Sequence, residues 1–517
     1  MRLFFQRIVR SPYILSLFLA FSGIGYLRWT TGSGIGLFSD SITYIGGARN
    51  IIESVGYKLR DPFGNLFPIV DFPPGYSALI ALSGRVIPNI LEATRWLQCL
   101  LFGLNIFLVS CVIQQASKRY SWASSVGALL FMFSVDQLAV HSVAWSEDAF
   151  ISFSLIVFLF LSQFLETERW LFLGGACMAA AAACLIRLAG LAWILSGVVT
   201  LLALSRTKPV SKAFRTLIFG VSAALPLVIW YLFNWMTVRK LSNRAFSFHP
   251  PFTPLHSRAI LHALTLWFTQ SSLSAWIAIP LDMIGIVLLI MMVIKAWRND
   301  RKGLSSPVVL LLIAAVSYGI FIFAVNTFIQ ADLLIDAVRI LAPLHVVLLC
   351  AFAGIALNVM PPKSRIFGGF LLAGGVFFII RGVMFAYDIH RGDQPGYASR
   401  GYAQLRWKRS QVLIQLERLP ANVLIYSNLP WPIDIYVGRS SLGIEGKTSL
   451  VTSKPNPLYK QSLIIMKNRV ENGEAVIAYL TGSDGRDVPK LEELRSLITM
   501  NCNEIEGDGA ICSGQPH

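Results

Sequence analysis

The residues of this chain that are equipped for chemistry are few, and they stand in small groups within apolar surroundings. Asp40 lies in LFSDSITYIGGARN, just past the first apolar run. Glu147 and Asp148 are adjacent in HSVAWSEDAF, Arg187 interrupts CLIRLAGL, and Asp336 and Arg339 lie three apart in LIDAVRILAPL. An ionised side chain at membrane depth is costly, so each is expected either to serve a functional site or to neutralise a partner. Plainer roles exist for most of them. Asp40, or Ser39 beside it, can cap the helix that follows. Ser146 can cap the next helix, with Glu147 and Asp148 favouring its positive end, and Arg339 can snorkel. Arg187, with apolar residues on both sides, is the hardest to explain in such terms.

Composition identifies the elements that must hold these groups. Of 517 residues, 55% are hydrophobic and only 14% charged, with a mean hydropathy of +0.61. That excludes an ordinary soluble domain. A spanning helix takes roughly 20 apolar residues. About eleven such stretches occur, near 11–29, 92–113, 122–140, 149–165, 171–186, 188–205, 216–234, 276–294, 307–329, 340–358 and 366–386. The first runs into TTGSG without a small-x-small cleavage site and reads as a retained span.

The net charge of +16 does not signal nucleic acid, because the basic residues fall in alternate loops. Arg2, Arg7 and Arg10 precede the first span. Lys118/Arg119, Arg206/Lys208/Lys212/Arg215, Lys295/Arg298/Arg301/Lys302 and Lys363/Arg365 follow at later ones. The positive-inside bias then puts the N-terminus in the cytoplasm. Asp40, Glu147, Arg187, Asp336, Arg339 and everything beyond about Tyr387 fall outside.

Three outward segments exceed mere connectors: about 30–90, the basic and aromatic stretch after the seventh span, and the C-terminal part. SDSITYIGGARNIIES has helical character, which sets Asp40 and Tyr44 one turn apart on a shared face. Pro73, Pro74 and Gly75 make a rigid turn into a second short helix. In the C-terminal part, ANVLIYSN and EAVIAYL read as strands. QVLIQLERL, SLIIMKNRVENG and LEELRSLITM read as helices, with Gly473 as a C-cap. The fold class expected is therefore a polytopic α-helical membrane protein of about eleven transmembrane helices with outer-face juxtamembrane helices. A membrane module over 1–387 carries a small C-terminal α/β extracytoplasmic domain over 388–517. Cys502 and Cys512 are the cysteines outside the spans and a plausible disulfide, free thiols being the alternative.

No GxxxxGK[ST], GxGxxG, HExxH or DxD occurs, so an activated substrate is not expected to arrive as a nucleotide. His249, His256 and His262 match no metal spacing. No cofactor is expected, and assistance by a divalent metal stays open.

The order of several weak motifs resembles the GT-C superfamily of polytopic glycosyltransferases. They are Asp40, Tyr44 and Ala48, then Gly56 and Tyr57, Pro73 to Tyr76, Ser146 and Glu147, Arg187 and Gly190, and Arg339 and Pro343. YSNLPWPIDIYVGRS resembles the start of the outer domain in bacterial members related to the protein O-mannosyltransferase and aminoarabinose transferase groups. The resemblance runs from about residue 38 to 445. It departs from the pattern at Asp40, which stands alone where some relatives have Asp-Glu, and at LAG, where many have a proline after the arginine.

The resemblance implies a glycosyltransferase of a bacterial cytoplasmic membrane that uses a polyprenyl-phosphate-sugar donor and acts on the outer face with inversion. The acceptor, whether glycan, lipid or protein, stays open, and the apolar spans would hold the lipid tail. Asp40 would be the base, and Glu147 would orient the acceptor or brace an arginine. Arg339, with Arg187 or with Arg239, Lys240 or Arg244, would hold the phosphate. Tyr44, Tyr57 and Asp336 would complete the substrate site, with Asp40 and Arg339 on opposite sides of one cavity. A transporter or flippase of lipid-linked sugars is the rival from another class. Against it stand the absence of a visible repeat and the gathering of charges on one face. A lipid-linked oligosaccharide polymerase or ligase shares the same substrates.

Overall fold

Long apolar helices whose large side chains face outward set the architecture. A computed structural model describes residues 13–117, 122–242, 244, 246–248, 250, 252–269, 275–298, 304–329, 336–359, 365–391, 401–402, 404–448, 455–482 and 487–514. Basic residues used above for topology at positions 2, 7, 10, 118, 119, 301, 302 and 363, and His249, lie outside the described residues. The chain divides into two units. One comprises Met1–Ile35 and Ile69–Ser399, the other Gly36–Pro68 and Arg400–His517.

Among the described residues of the first unit six helices are long and apolar enough to cross a membrane: Ile90–Ser117, Glu147–Thr167, Pro209–Val238, Ser306–Phe328, Ala337–Val359 and Ala373–Arg391. Ile14–Thr30, Trp170–Ile186 and Gly190–Leu204 are shorter apolar helices. The Pro209–Val238 helix exposes Phe214, Leu217, Val221, Leu225, Val228 and Leu232 at three- and four-residue steps. Such a stripe is solvated by lipid rather than by water. The protein is a multi-pass membrane protein. Where helices meet, small residues let backbones approach: a Cβ on Gly103 would stand 2.8 Å from the Ala20 carbonyl oxygen.

The span expected over 122–140 is broken. Ala123–Met132 and Val135–His141 are separate helices bent by 62°, and polar side chains explain the bend. The Ser134 hydroxyl donates to Asp136, and the backbone is extended at Ser134, two residues before the carboxylate. Hydropathy is continuous through this break and gave no warning of it.

The second unit is built on a five-stranded sheet in the order Leu442–Gly443, Leu424–Ser427, Ala475–Leu480, Gly509–Ser513 and Asn501–Ile505. The first two pairings are parallel and the rest antiparallel. Neighbouring residues of a strand serve opposite cores. Ile425 and Val476 pack with Val412, Leu416 and Ile433 on one side; Tyr426 and Ile477 pack with Met466, Val470 and Leu494 on the other. Tyr459–Glu471 is a helix followed by Gly473 at φ +73°. Cys502 and Cys512 face each other across the last hairpin and form a disulfide.

Residues 36–68 join this unit through main-chain contacts. Leu37 bridges to Gly401, its carbonyl accepts from the Tyr402 amide at 2.8 Å, and the Arg60 carbonyl accepts from Ser440 Oγ at 2.8 Å. Within the segment a helix over Ser39–Ile52 leads into a hairpin of Lys58–Arg60 and Leu66–Pro68, which the sequence reading had not anticipated.

Candidate functional site

A buried cluster of charged side chains lies in the first unit, where the Glu147–Thr167 helix begins. Glu147 is fully buried. One of its oxygens, Oε1, takes both Arg187 Nη1 at 2.6 Å and Arg339 Nε. Removing one partner of such a buried set costs about 3–5 kcal/mol, because a charge is left alone in low dielectric. Glu147 therefore fixes two guanidiniums that would otherwise repel. Asp336 approaches Arg339 at 3.8 Å, and the Arg339 guanidinium lies 4.7 Å above the ring centre of the buried Trp145.

Local sequence explains why these side chains converge. Arg187 sits in the break between the Trp170–Ile186 and Gly190–Leu204 helices, and its Nη1 donates to Ser146 Oγ at 2.9 Å. Ser146 thus holds the N-cap position that the sequence suggested, but its hydroxyl makes no cap bond and serves the arginine. The break can be tight because position 190 is glycine: a Cβ there would stand 2.5 Å from the Cys184 amide nitrogen. Arg339 belongs to the Ala337–Val359 helix, in which Pro343 has no amide for the Arg339 carbonyl four residues back. A stack of buried aromatics backs the cluster. Tyr318 lies against Trp193 at 5.2 Å, Trp193 against Phe150 at 5.7 Å, and Tyr318 Oη donates to the Ile340 carbonyl at 2.8 Å.

Two further buried networks bring in Asp136, His141 and His345, which the sequence reading did not single out. Asp136 accepts from His345 Nδ1 at 2.6 Å and from Gln137 Nε2 at 2.8 Å. Beside Glu147, Asp148 lies 3.5 Å from His141 Nδ1. His141 also meets the Gln137 carbonyl at 2.8 Å and Asn105 at 3.0 Å. The available signal was the rule that flagged Arg187: FSVDQLAVH and LAPLHVV each place ionisable side chains inside an apolar run.

The remaining expected site residues lie elsewhere. Asp40, Tyr44 and Tyr57 belong to the second unit. Asp40 is in the first turn of the Ser39–Ile52 helix. The N-cap position is held by Phe38, which has the extended backbone a cap requires and whose amide donates to Ser41 Oγ at 3.1 Å. The capping expected of Asp40 or Ser39 is thereby reassigned. Tyr44 is buried and Tyr57 half-buried. Arg239 and Arg244 are exposed in the segment after the Pro209–Val238 helix, where Ser242 Oγ donates to Asp71 at 2.9 Å. Among the described residues no contact brings either arginine to Glu147, and no three His, Cys, Asp or Glu side chains group as a metal site.

Chemically, the Glu147 cluster sets two guanidiniums against one buried carboxylate. Two planar guanidiniums share one carboxylate oxygen, and each carries five N–H donors, the geometry that matches phosphate and carboxylate oxygens.

No family model matches the chain, and no curated protein matches it in sequence. Solved structures do. ArnT from Cupriavidus metallidurans bound to undecaprenyl phosphate has a TM-score of 0.59 at 14% identity, covering 97% of this chain and 99% of that one. The apo state of the same protein gives 0.60 at 13% identity, covering 97% and 98%. The cryo-EM structure of arabinosyltransferase EmbB from Mycobacterium smegmatis gives a TM-score of 0.41 at 13% identity, covering 73% of this chain and 37% of that one. At 13–14% identity the ArnT likeness shows that this chain shares that protein's fold.

Proposed function

We propose that this chain is an inverting glycosyltransferase. It would move a sugar from a polyprenyl-phosphate-linked donor to an acceptor hydroxyl on the outer face of a bacterial cytoplasmic membrane. The observation that carries this reading is the pair Arg187 and Arg339 on one oxygen of the buried Glu147. A lipid phosphate is a stronger acceptor than Asp336 at 3.8 Å, and it would take the N–H donors that face away from Glu147. That a protein of the same fold is bound to undecaprenyl phosphate supports the choice of ligand.

In the transfer, the bond between the anomeric carbon and the phosphate oxygen breaks as the acceptor oxygen attacks from the opposite side. The departing phosphate gains negative charge, which the two guanidiniums stabilise more than they stabilise the intact diester. Asp40 takes the acceptor proton. Glu147 positions the arginines, its Oε1 being taken by both guanidiniums. Asp336, 3.8 Å from Arg339, completes the phosphate site. About eleven spans, with the N-terminus inside and the C-terminus outside, would turn that site to the outer face.

The test is mass spectrometry of surface glycans and lipid-linked sugars from a deletion strain carrying wild type or Arg339→Lys. Loss of one sugar from a glycan together with build-up of its polyprenyl phosphate donor is the expected outcome. An unchanged profile with equal protein in the membrane would refute the reading.

A further inference from the structure

The second unit contains a cavity of about 610 Å³, within the roughly 300–1,000 Å³ of small-molecule sites. It lies between the Ser39–Ile52 helix, the turn of the 58–68 hairpin and the segments 421–425 and 434–440, all in one unit. Its ionisable lining is balanced: Arg49, Arg60 and Arg439 against Glu53, Asp61 and Asp434.

Half of these groups are committed to the wall. Arg439 donates to the carbonyls of Leu419, Ala421 and Val423 at 3.1, 3.3 and 2.5 Å. Asp61 holds its own turn through the amides of Phe63 and Asn65 at 2.9 and 2.7 Å. Arg60 donates to the Gly64 carbonyl at 3.3 Å. Three groups remain. Arg49 makes one long bond, 3.5 Å, to the Asp434 carbonyl. Glu53, one turn along the same helix face, and the Asp434 carboxyl make no hydrogen bond within the described residues. Burial holds the Asp434 carboxyl above its ordinary range, against the opposing pull of Arg49. Phe63, 53% exposed, stands at the rim with the Arg469 guanidinium 5.1 Å from its ring centre on one face, which leaves the other face for a ligand.

A guanidinium flanked by two uncommitted carboxyls offers donors and acceptors side by side at no net positive charge. A phosphate would meet two carboxylates there, and an ammonium would meet the arginine. A hydroxyl both donates and accepts, so adjacent hydroxyls of a sugar ring satisfy both kinds of group at once, while its C–H face can rest on Phe63. We infer that this cavity is a saccharide-binding site of the second unit, formed by Arg49, Glu53 and Asp434 with Phe63 at its edge. It is distinct from the Glu147 cluster and stands whether or not the chain transfers sugar.

The test uses the full chain in lipid nanodiscs, because a glycoside detergent would itself present a sugar. Saturation-transfer NMR is recorded with glucose, mannose, galactose, arabinose and N-acetylglucosamine, with glycerol and inorganic phosphate as controls. At least one saccharide should receive transfer above glycerol and resist displacement by phosphate. Ala421→Trp, which fills the cavity from an exposed position, and Asp434→Ala should each weaken binding tenfold or more, while Arg339→Ala should not. Three results overturn the assignment: no saccharide above glycerol, displacement by phosphate, or binding that survives Ala421→Trp. Loss in Asp434→Ala alone counts as misfolding, so Ala421→Trp decides.

Discussion

Glu147 Oε1 lies 2.6 Å from Arg187 Nη1, and the same buried oxygen also takes Arg339. The role of Glu147 follows from that sharing: it gathers two positive charges at one point and keeps them there without a donor present. Glu147→Gln preserves the shape and removes the charge. The two arginines then repel, at a cost of about 3–5 kcal/mol. The expected result is a clearly lowered thermal midpoint in nanodiscs together with loss of transfer. An unchanged midpoint would mean that the arginines are not held by this carboxylate.

Asp40, the proposed base, and Ser41, which accepts a backbone amide, stand side by side in one helix turn. Ser41 Oγ accepts the Phe38 amide, so Ser41→Ala should cost about 1 kcal/mol of local stability and leave transfer intact. Asp40→Asn should do the reverse: normal accumulation and thermal midpoint, with transfer reduced by roughly 10²–10⁴-fold, the size of a general-base contribution. Parallel measurement of midpoint and turnover on both variants checks the division. Equal behaviour of the two would assign Asp40 to structure.

The Asp434 carboxyl is raised above the ordinary value of 3.8 by burial, with Arg49 opposing. A raised acid favours the folded state in its protonated form. Its contribution to stability is therefore complete below 3.8 and is lost as pH rises through the higher folded value. As pH rises above 3.8 and through the higher folded value the second unit should become less stable by this increment, and Asp434→Asn should flatten the slope. Chemical unfolding midpoints of both proteins across that range test it. Parallel slopes would show that Asp434 is not buried in its carboxyl form.

Much of this was legible from residue type. Arg187 and Glu147 declared themselves as charges among apolar neighbours, and Cys502 and Cys512 as the cysteines outside the spans. The pairing of Glu147 with two arginines was not legible, because its members lie 40 and 192 positions apart in sequence and only helix packing joins them. The break before Asp136 was hidden because Phe133 and Ser134 interrupt neither hydropathy nor helical spacing. The hairpin after Tyr57 was missed because Lys58–Arg60 and Leu66–Pro68 are only three residues each, too short for alternation to show. The Asp434 cavity could not be foreseen: its walls come from segments nearly 400 residues apart.

The central claim, that Arg187 and Arg339 hold a lipid phosphate, is tested most directly by native mass spectrometry of the nanodisc-released protein with added undecaprenyl phosphate. Wild type should retain one lipid. Arg187→Lys and Arg339→Lys should each weaken retention by roughly 10–100-fold, because an ammonium cannot reproduce the bidentate fork worth about 1.5–3 kcal/mol. Retention by the Arg187→Ala/Arg339→Ala double variant equal to that of wild type would contradict the account.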